Sequence, residues 1–154
     1  MARITLALVI SLALVACGSS KKKEATLPGT PLYRGSEWAV TMQGGKATAY
    51  RLVDGSWQAD MTGAVKLTIL GPKPGSTQPA TPQVAAEMSA KSDLVESALW
   101  VDGVELLEKG GGLTPTRGTL YGAPASPLAK GTHTAVAYAR TATHGAAVAW
   151  TFHV

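Results

Sequence analysis

Three histidines, at 133, 144 and 153, are the side chains of this 154-residue chain best suited to proton transfer or metal ligation. A metal site wants three or four ligands with a second shell of hydrogen bonds around them. The chain has a single cysteine, Cys17, and no Cys or Met pair completes such a set. Strand geometry puts His133 at the start of a strand, His144 in the last hairpin, and His153 on the face opposite Trp150 and Phe152. His133 and His144 therefore meet only if the strand between them leans or curls. No metal and no cofactor is expected; if a metal binds, His133, His144 and His153 are its candidate ligands. The carboxylate pairs Glu105/Glu108 and Asp93/Glu96 read as solvated loop or edge charges, which discourage strand-to-strand aggregation. Gly18-Ser19-Ser20 and Gly35-Ser36-Glu37 lack the strand, sharp turn and helix that would aim a nucleophilic serine. No catalytic residue is assigned, and the chain is not expected to be an enzyme. Among Trp38, Trp57, Trp100 and Trp150, the first residue to test as a ligand-binding aromatic is Trp57, just past a hairpin turn; Trp150 reads as core.

Cys17 closes a leader. Met1-Ala2-Arg3 is short and positive, and residues 4–16 are apolar or small apart from the hydroxyls of Thr5 and Ser11. A basic start, an apolar run of about a dozen residues and a small-residue end make a secretory signal too short to span a bilayer. Its end, Leu14-Val15-Ala16-Cys17, resembles the lipobox of bacterial lipoproteins. That resemblance implies recognition of Leu14, Val15 and Ala16 by a signal peptidase, cleavage before Cys17, and palmitate-type acylation that makes Cys17 the lipid-bearing first residue. Membrane lipid is then the first partner. Gly18 stands where many Gram-negative lipoproteins retained at the inner membrane carry Asp, so the address implied is extracytoplasmic, anchored in the cell membrane or outer membrane.

Loss of the leader leaves 138 residues, one domain or one domain with an appendage, and enough chain to bury a core. The formal charge of +4 falls to +3 without Arg3, and Lys21, Lys22 and Lys23 against Glu24 supply +2 of that. The basic residues thus sit in the tether and not on a face, so no nucleic-acid partner is expected. Lysines beside an acyl chain suit anionic headgroups, at about 1 kcal/mol each near the surface. The sequence contains no Asn, which excludes N-glycosylation.

Residues 17–32 form the acylated Cys and a flexible tether of small, charged and Pro/Gly residues. Such a coil holds a domain on the order of 20 Å from its anchor. From Tyr33 the pattern turns to short alternating runs. Strands are expected over 37–42, 46–53, 56–60 and 64–70, then 83–90 (where Ala, Glu and Met would also allow a helical turn), 96–101, 104–107, 116–121, 133–140 and 147–154. Asp54-Gly55 and Asp102-Gly103 each lie between two alternating runs, a strong hairpin signal. Gly110-Gly111-Gly112 reads as a flexible tip. The proline-rich stretch 71–82 is either a linker between two units or a long loop entering a sandwich. Short strands at about ten-residue spacing, with Gly/Pro/Asp turns and no long helix, argue for an all-β sandwich.

Pro72-Lys-Pro-Gly-Ser, Leu99-Trp-Val-Asp-Gly, Pro127-Leu-Ala-Lys-Gly-Thr-His-Thr and Trp150-Thr-Phe-His-Val resemble bacterial immunoglobulin-like domains. The resemblance covers residues 72–154 and implies an immunoglobulin-like β-sandwich there. Ala135, Ala137 and Ala139 stand where larger apolar residues are usual in that family. Residues 33–71 lie outside the resemblance and are expected to be extra strands or a small β unit. Thr143-His144-Gly145 faintly resembles a histidine turn of periplasmic copper-resistance domains, which share this kind of sandwich. The expected function is a membrane-anchored cell-envelope lipoprotein presenting a non-catalytic binding or structural module to an envelope protein or polysaccharide. The alternative is a periplasmic copper- or metal-binding protein.

Overall fold

The computed structural model describes residues 25–106 and 111–154; the expected leader, Cys17 and the first part of the expected tether lie outside the described residues. The described chain is all-β. Its strands are β1 (Thr30–Arg34), β2 (Trp38–Gln43), β3 (Lys46–Val53), β4 (Ser56–Ala59), β5 (Val65–Gly71) and β6 (Val84–Ala90). They continue as β7 (Leu94–Val101), β8 (Val104–Glu105), β9 (Gly111–Thr114), β10 (Arg117–Gly122), β11 (Thr132–Thr141) and β12 (Gly145–His153). Three four-stranded sheets have the orders β1-β2-β3-β4, β5-β6-β10-β9 and β12-β11-β7-β8, and the strand pairs within them are antiparallel.

The turns follow from local chemistry. Asp54 and Asp102 have φ near +50°, and Gly55 and Gly103 have φ of 78° and 81°. Two successive residues at positive φ make the hairpin turn whose twist matches that of antiparallel strands. Asp tolerates the left-handed region better than most side chains and Gly enters it without a Cβ clash.

The β12-β11-β7-β8 sheet is the middle layer, apolar on both faces. Toward β5-β6-β10-β9 it presents Leu99, Val101, Ala135, Ala137, Ala139, Trp150 and Phe152, which meet Val84, Ala86, Met88 and Leu120. Toward β1-β2-β3-β4 it presents Ala98, Trp100, Val136 and Tyr138, which meet Val40 and Ala49. Alternation along β11 is what divides its residues between the two cores. The small alanines at 135, 137 and 139 therefore belong to a central strand buried on both sides. Each fully buried large side chain, such as Phe152 or Leu120, contributes on the order of 2 kcal/mol.

Four boundaries differ from the sequence-based expectation. The strand β1 starts at Thr30, inside the stretch read as tether, because residues 30–34 find a ladder along β2. The strand β5 pairs with β6 across the proline-rich stretch, so 71–82 is a loop within the sandwich and not a linker. The sandwich consequently begins at Val65 and not at residue 72. Gly111 and Gly112 are not a tip but open β9, held by the β10 backbone, a pairing that asks nothing of side chains.

Candidate functional site

The loops at one end of the sandwich enclose a mainly apolar cavity of about 400 Å³, walled on one side by Val101, Val104 and Leu106 and on the other by Pro124, Pro127 and Leu128. The β7–β8 hairpin supplies the first wall and the connection from β10 to β11 the second. Asp102, Glu105 and Ser126 are the polar groups of the lining. His133 ties the two walls together. Its Nδ1 lies 2.6 Å from Asp102 Oδ2, and its Nε2 lies 2.8 Å from the carbonyl oxygen of Ala129. Both partners are acceptors, so both ring nitrogens donate and the ring is an imidazolium. The hydrogen bond to Asp102, backed by that to Ala129, raises the His133 pKa above its ordinary value despite burial. The other Asp102 oxygen accepts the Thr134 N–H at 2.9 Å, and Phe152 lies against the imidazole at 5.7 Å. With both nitrogens bound, His133 acts as a positively charged clamp.

His144 sits at the opposite end of β11, roughly 25 Å of strand away. It faces Asp60, whose carboxylate is the anchor of that end. Asp60 Oδ2 accepts the Gly145 N–H at 2.8 Å and lies 3.3 Å from His144 Nδ1, while Oδ1 accepts from the Thr62 hydroxyl at 2.7 Å and the Thr62 N–H at 3.0 Å. Burial pushes the Asp60 pKa up, but the hydrogen bonds from Thr62, Gly145 and His144 outweigh it and hold the carboxyl below its ordinary range. His153 is exposed and its Nδ1 lies 3.0 Å from the Thr132 hydroxyl, on the face of β12 away from Trp150 and Phe152, as strand alternation requires. The three histidines thus stand in three separate settings. Among the described residues no group of three or more His, Cys, Asp or Glu comes together.

Trp38, Trp100 and Trp150 are core residues. Trp57 is half-buried on β4, opposite Leu52, with the Arg34 guanidinium 5.8 Å from its ring centre. Its face is thus partly covered by a cation from β1.

Sequence reasoning missed the partners of Asp60 and of His133, and it missed a further polar cluster. Glu96, read as half of a solvated carboxylate pair with Asp93, instead joins the outer and middle layers. Glu96 Oε1 accepts the Tyr33 hydroxyl at 2.8 Å and Oε2 accepts Arg140 Nε at 2.5 Å. The Tyr138 hydroxyl reaches the same Oε2 at 3.5 Å. Burial raises the Glu96 pKa, and the bonds from Arg140 and Tyr33 reverse that to a net lowering. Burial, reinforced by Glu96, raises the Tyr138 pKa strongly. The signal available in the sequence was Arg140 at the end of an otherwise apolar strand. Cys17, expected to carry the lipid, and Leu14, Val15 and Ala16, expected to be recognised by a signal peptidase, lie outside the described residues. A comparison with protein-family descriptions and with curated proteins finds no match to this chain.

Proposed function

We propose that this chain is a lipid-anchored protein of the cell envelope that presents a non-catalytic, immunoglobulin-like binding or structural module. The observation that carries the module reading is strand order. Sheets ordered β5-β6-β10-β9 and β12-β11-β7-β8 correspond to the A-B-E-D and G-F-C-C′ arrangement of immunoglobulin-like sandwiches. Such sandwiches serve many unrelated tasks, so the module reading names a role of presentation and not a reaction. The polar clusters agree with it: His133 joins two loops, Asp60 fixes a hairpin, and Glu96 joins two layers. The anchor reading rests on Leu14-Val15-Ala16-Cys17 and on the polar stretch that separates Cys17 from β1.

The test is the intact mass of the protein recovered from membranes, beside a Cys17→Ser version. Loss of residues 1–16 with added acyl mass on the wild type, and a soluble or unprocessed variant, is the expected result. A wild-type mass without lipid sinks the anchor.

A further inference from the structure

The strand β12 is an edge strand of the middle layer, and its outward backbone groups can be assigned one by one. Gly131 and Val154 exchange both backbone hydrogen bonds, and at the other end Thr141 N–H donates to His144 C=O. In an antiparallel pair, bonded and non-bonded residue pairs alternate. The register from Thr132↔His153 to Arg140↔Gly145 therefore turns the N–H and C=O groups of Gly145, Ala147, Ala149, Thr151 and His153 away from β11. The two ends of this row are covered. The Gly145 N–H donates to Asp60. The Thr151 carbonyl accepts Gly75 N–H, the His153 N–H donates to Ser76 C=O, and the His153 carbonyl accepts Gln78 N–H. Between them, the Gly145 C=O, the outward N–H and C=O of Ala147 and Ala149, and the Thr151 N–H have no partner among the described residues.

At Ala147 that gap opens on a cleft of about 330 Å³ whose walls are the first half of β3 (Lys46, Ala47, Ala49) and the connection into β5 (Asp60, Met61, Gly63), with residues 145–147 along it; the Asp60 carboxylate there is taken up by Gly145, His144 and Thr62. The small side chains leave room for backbone. Met61 is 84 % exposed at the rim. Lys46, also exposed, makes no ion pair among the described residues.

We propose that this edge of β12 accepts an extended segment of a partner protein, with small side chains along the cleft and an acidic residue toward Lys46. Main-chain hydrogen bonds to Ala147 and Ala149 supply the common affinity of strand addition, and the side-chain pockets supply selectivity. An unpaired row of this kind on a folded protein is a template for pairing, and here it is framed by two covered ends that fix its length. With the Asp60 carboxylate buried and held by its own hydrogen bonds, the exposed charge at the rim is Lys46, which favours an acidic strand over a basic one. This surface is independent of whether Cys17 is acylated.

The test uses the full chain in detergent and a fluorescein-labelled peptide of sequence Asp-Ala-Thr-Ala-Val-Ala-Thr-Asp. Amide exchange at Ala147 and Ala149 is expected to slow at least tenfold at saturating peptide. Fluorescence anisotropy is expected to show binding weakened tenfold or more by Ala149→Pro, which removes an outward N–H and no N–H of the β11 ladder, while its ring also fixes φ near −65°. Lys46→Glu should weaken it several-fold, and this surface change keeps the test open if the proline variant fails to fold. Exchange unchanged at millimolar peptide, protection elsewhere, or equal affinity for Lys46→Glu overturns the proposal. Protection of the same amides without peptide, rising with protein concentration, overturns it in favour of a second copy of this chain.

Discussion

At the scale of single residues, two positions are defined by what stands opposite them. A Cβ on Gly145 would lie 2.6 Å from Trp38 Cζ3 and 3.3 Å from Arg140 Cβ. Gly145→Ala is therefore expected to cost about 1–3 kcal/mol, as overpacking does. In urea melts that cost should shrink when Trp38→Leu is added, the mark of direct coupling. Asp102 must both occupy a positive-φ turn position and charge-pair with His133. Asp102→Asn keeps the turn, since Asn tolerates that backbone, and removes the charge. The His133 titration midpoint, followed by NMR, should drop toward its ordinary value. The sign for stability follows from the raised pKa in the fold. The His133 contribution is fully present below about pH 6.5 and is lost as pH rises through the folded pKa. The wild-type advantage over Asp102→Asn is then larger at pH 6 than at pH 9; an advantage that grows with pH would refute the clamp. Asp60 works in the other direction. Its lowered pKa gives stability above its ordinary value near 3.9 that is lost as pH falls through the folded value.

At the scale of elements, β11 is the strand on which the fold depends. It pairs with β12 and β7 and has a sheet against each face. Alanine at 135, 137 and 139 is fully buried, so space there is set by Leu99, Leu120 and Phe152. Ala137→Leu is expected to destabilise by about 1–3 kcal/mol, measured by chemical denaturation, whereas Leu120→Ala should cost about 2–5 kcal/mol by leaving a cavity. If Ala137→Leu were neutral, the close packing of β11 against the β5-β6-β10-β9 sheet would be wrong. The hairpin turns at Asp54-Gly55 and Asp102-Gly103 were legible in the sequence because each needs positive φ, and only a few residue types supply it. The expected strand at 46–53 corresponds to β3 because of its local alternation, while at 83–90 the choice of strand over helical turn is made by pairing of β6 with β5 and β10. The strand β9 was not legible, since its glycines carry no alternation and its pairing is decided by the β10 backbone.

At the scale of the molecule, three layers share one middle sheet, and Glu96 is a polar contact between the outer layer β1–β4 and the middle, beside that of Arg51 with the Thr143 carbonyl. Its side chain is 29 % exposed and that of Arg140 24 %, so the pair is neither fully desolvated nor a surface bridge. Glu96→Gln is expected to cost about 2 kcal/mol, in the range of hydrogen bonds to a charged group. Amide exchange should quicken in β1–β4 before it does in β5–β12, because the lost contact joins those layers. Uniform quickening would mean that the layers do not open separately.

What the sequence by itself determined was local: the period-two alternation, the Asp-Gly turns, and hence an all-β sandwich. Trp150 and Phe152 were legible as core because alternation alone puts them on one face. The tertiary structure decided everything that depends on residues far apart in the chain. It brought β5 to β6 across a proline-rich loop, turned Glu96 from a solvated charge into an interlayer contact, and bound His133 to a turn 31 residues earlier. It also kept the three histidines apart and left two alanines of β12 with free backbone groups at an edge. Local periodicity fixes which way a side chain points; only the packing of sheets fixes what it meets.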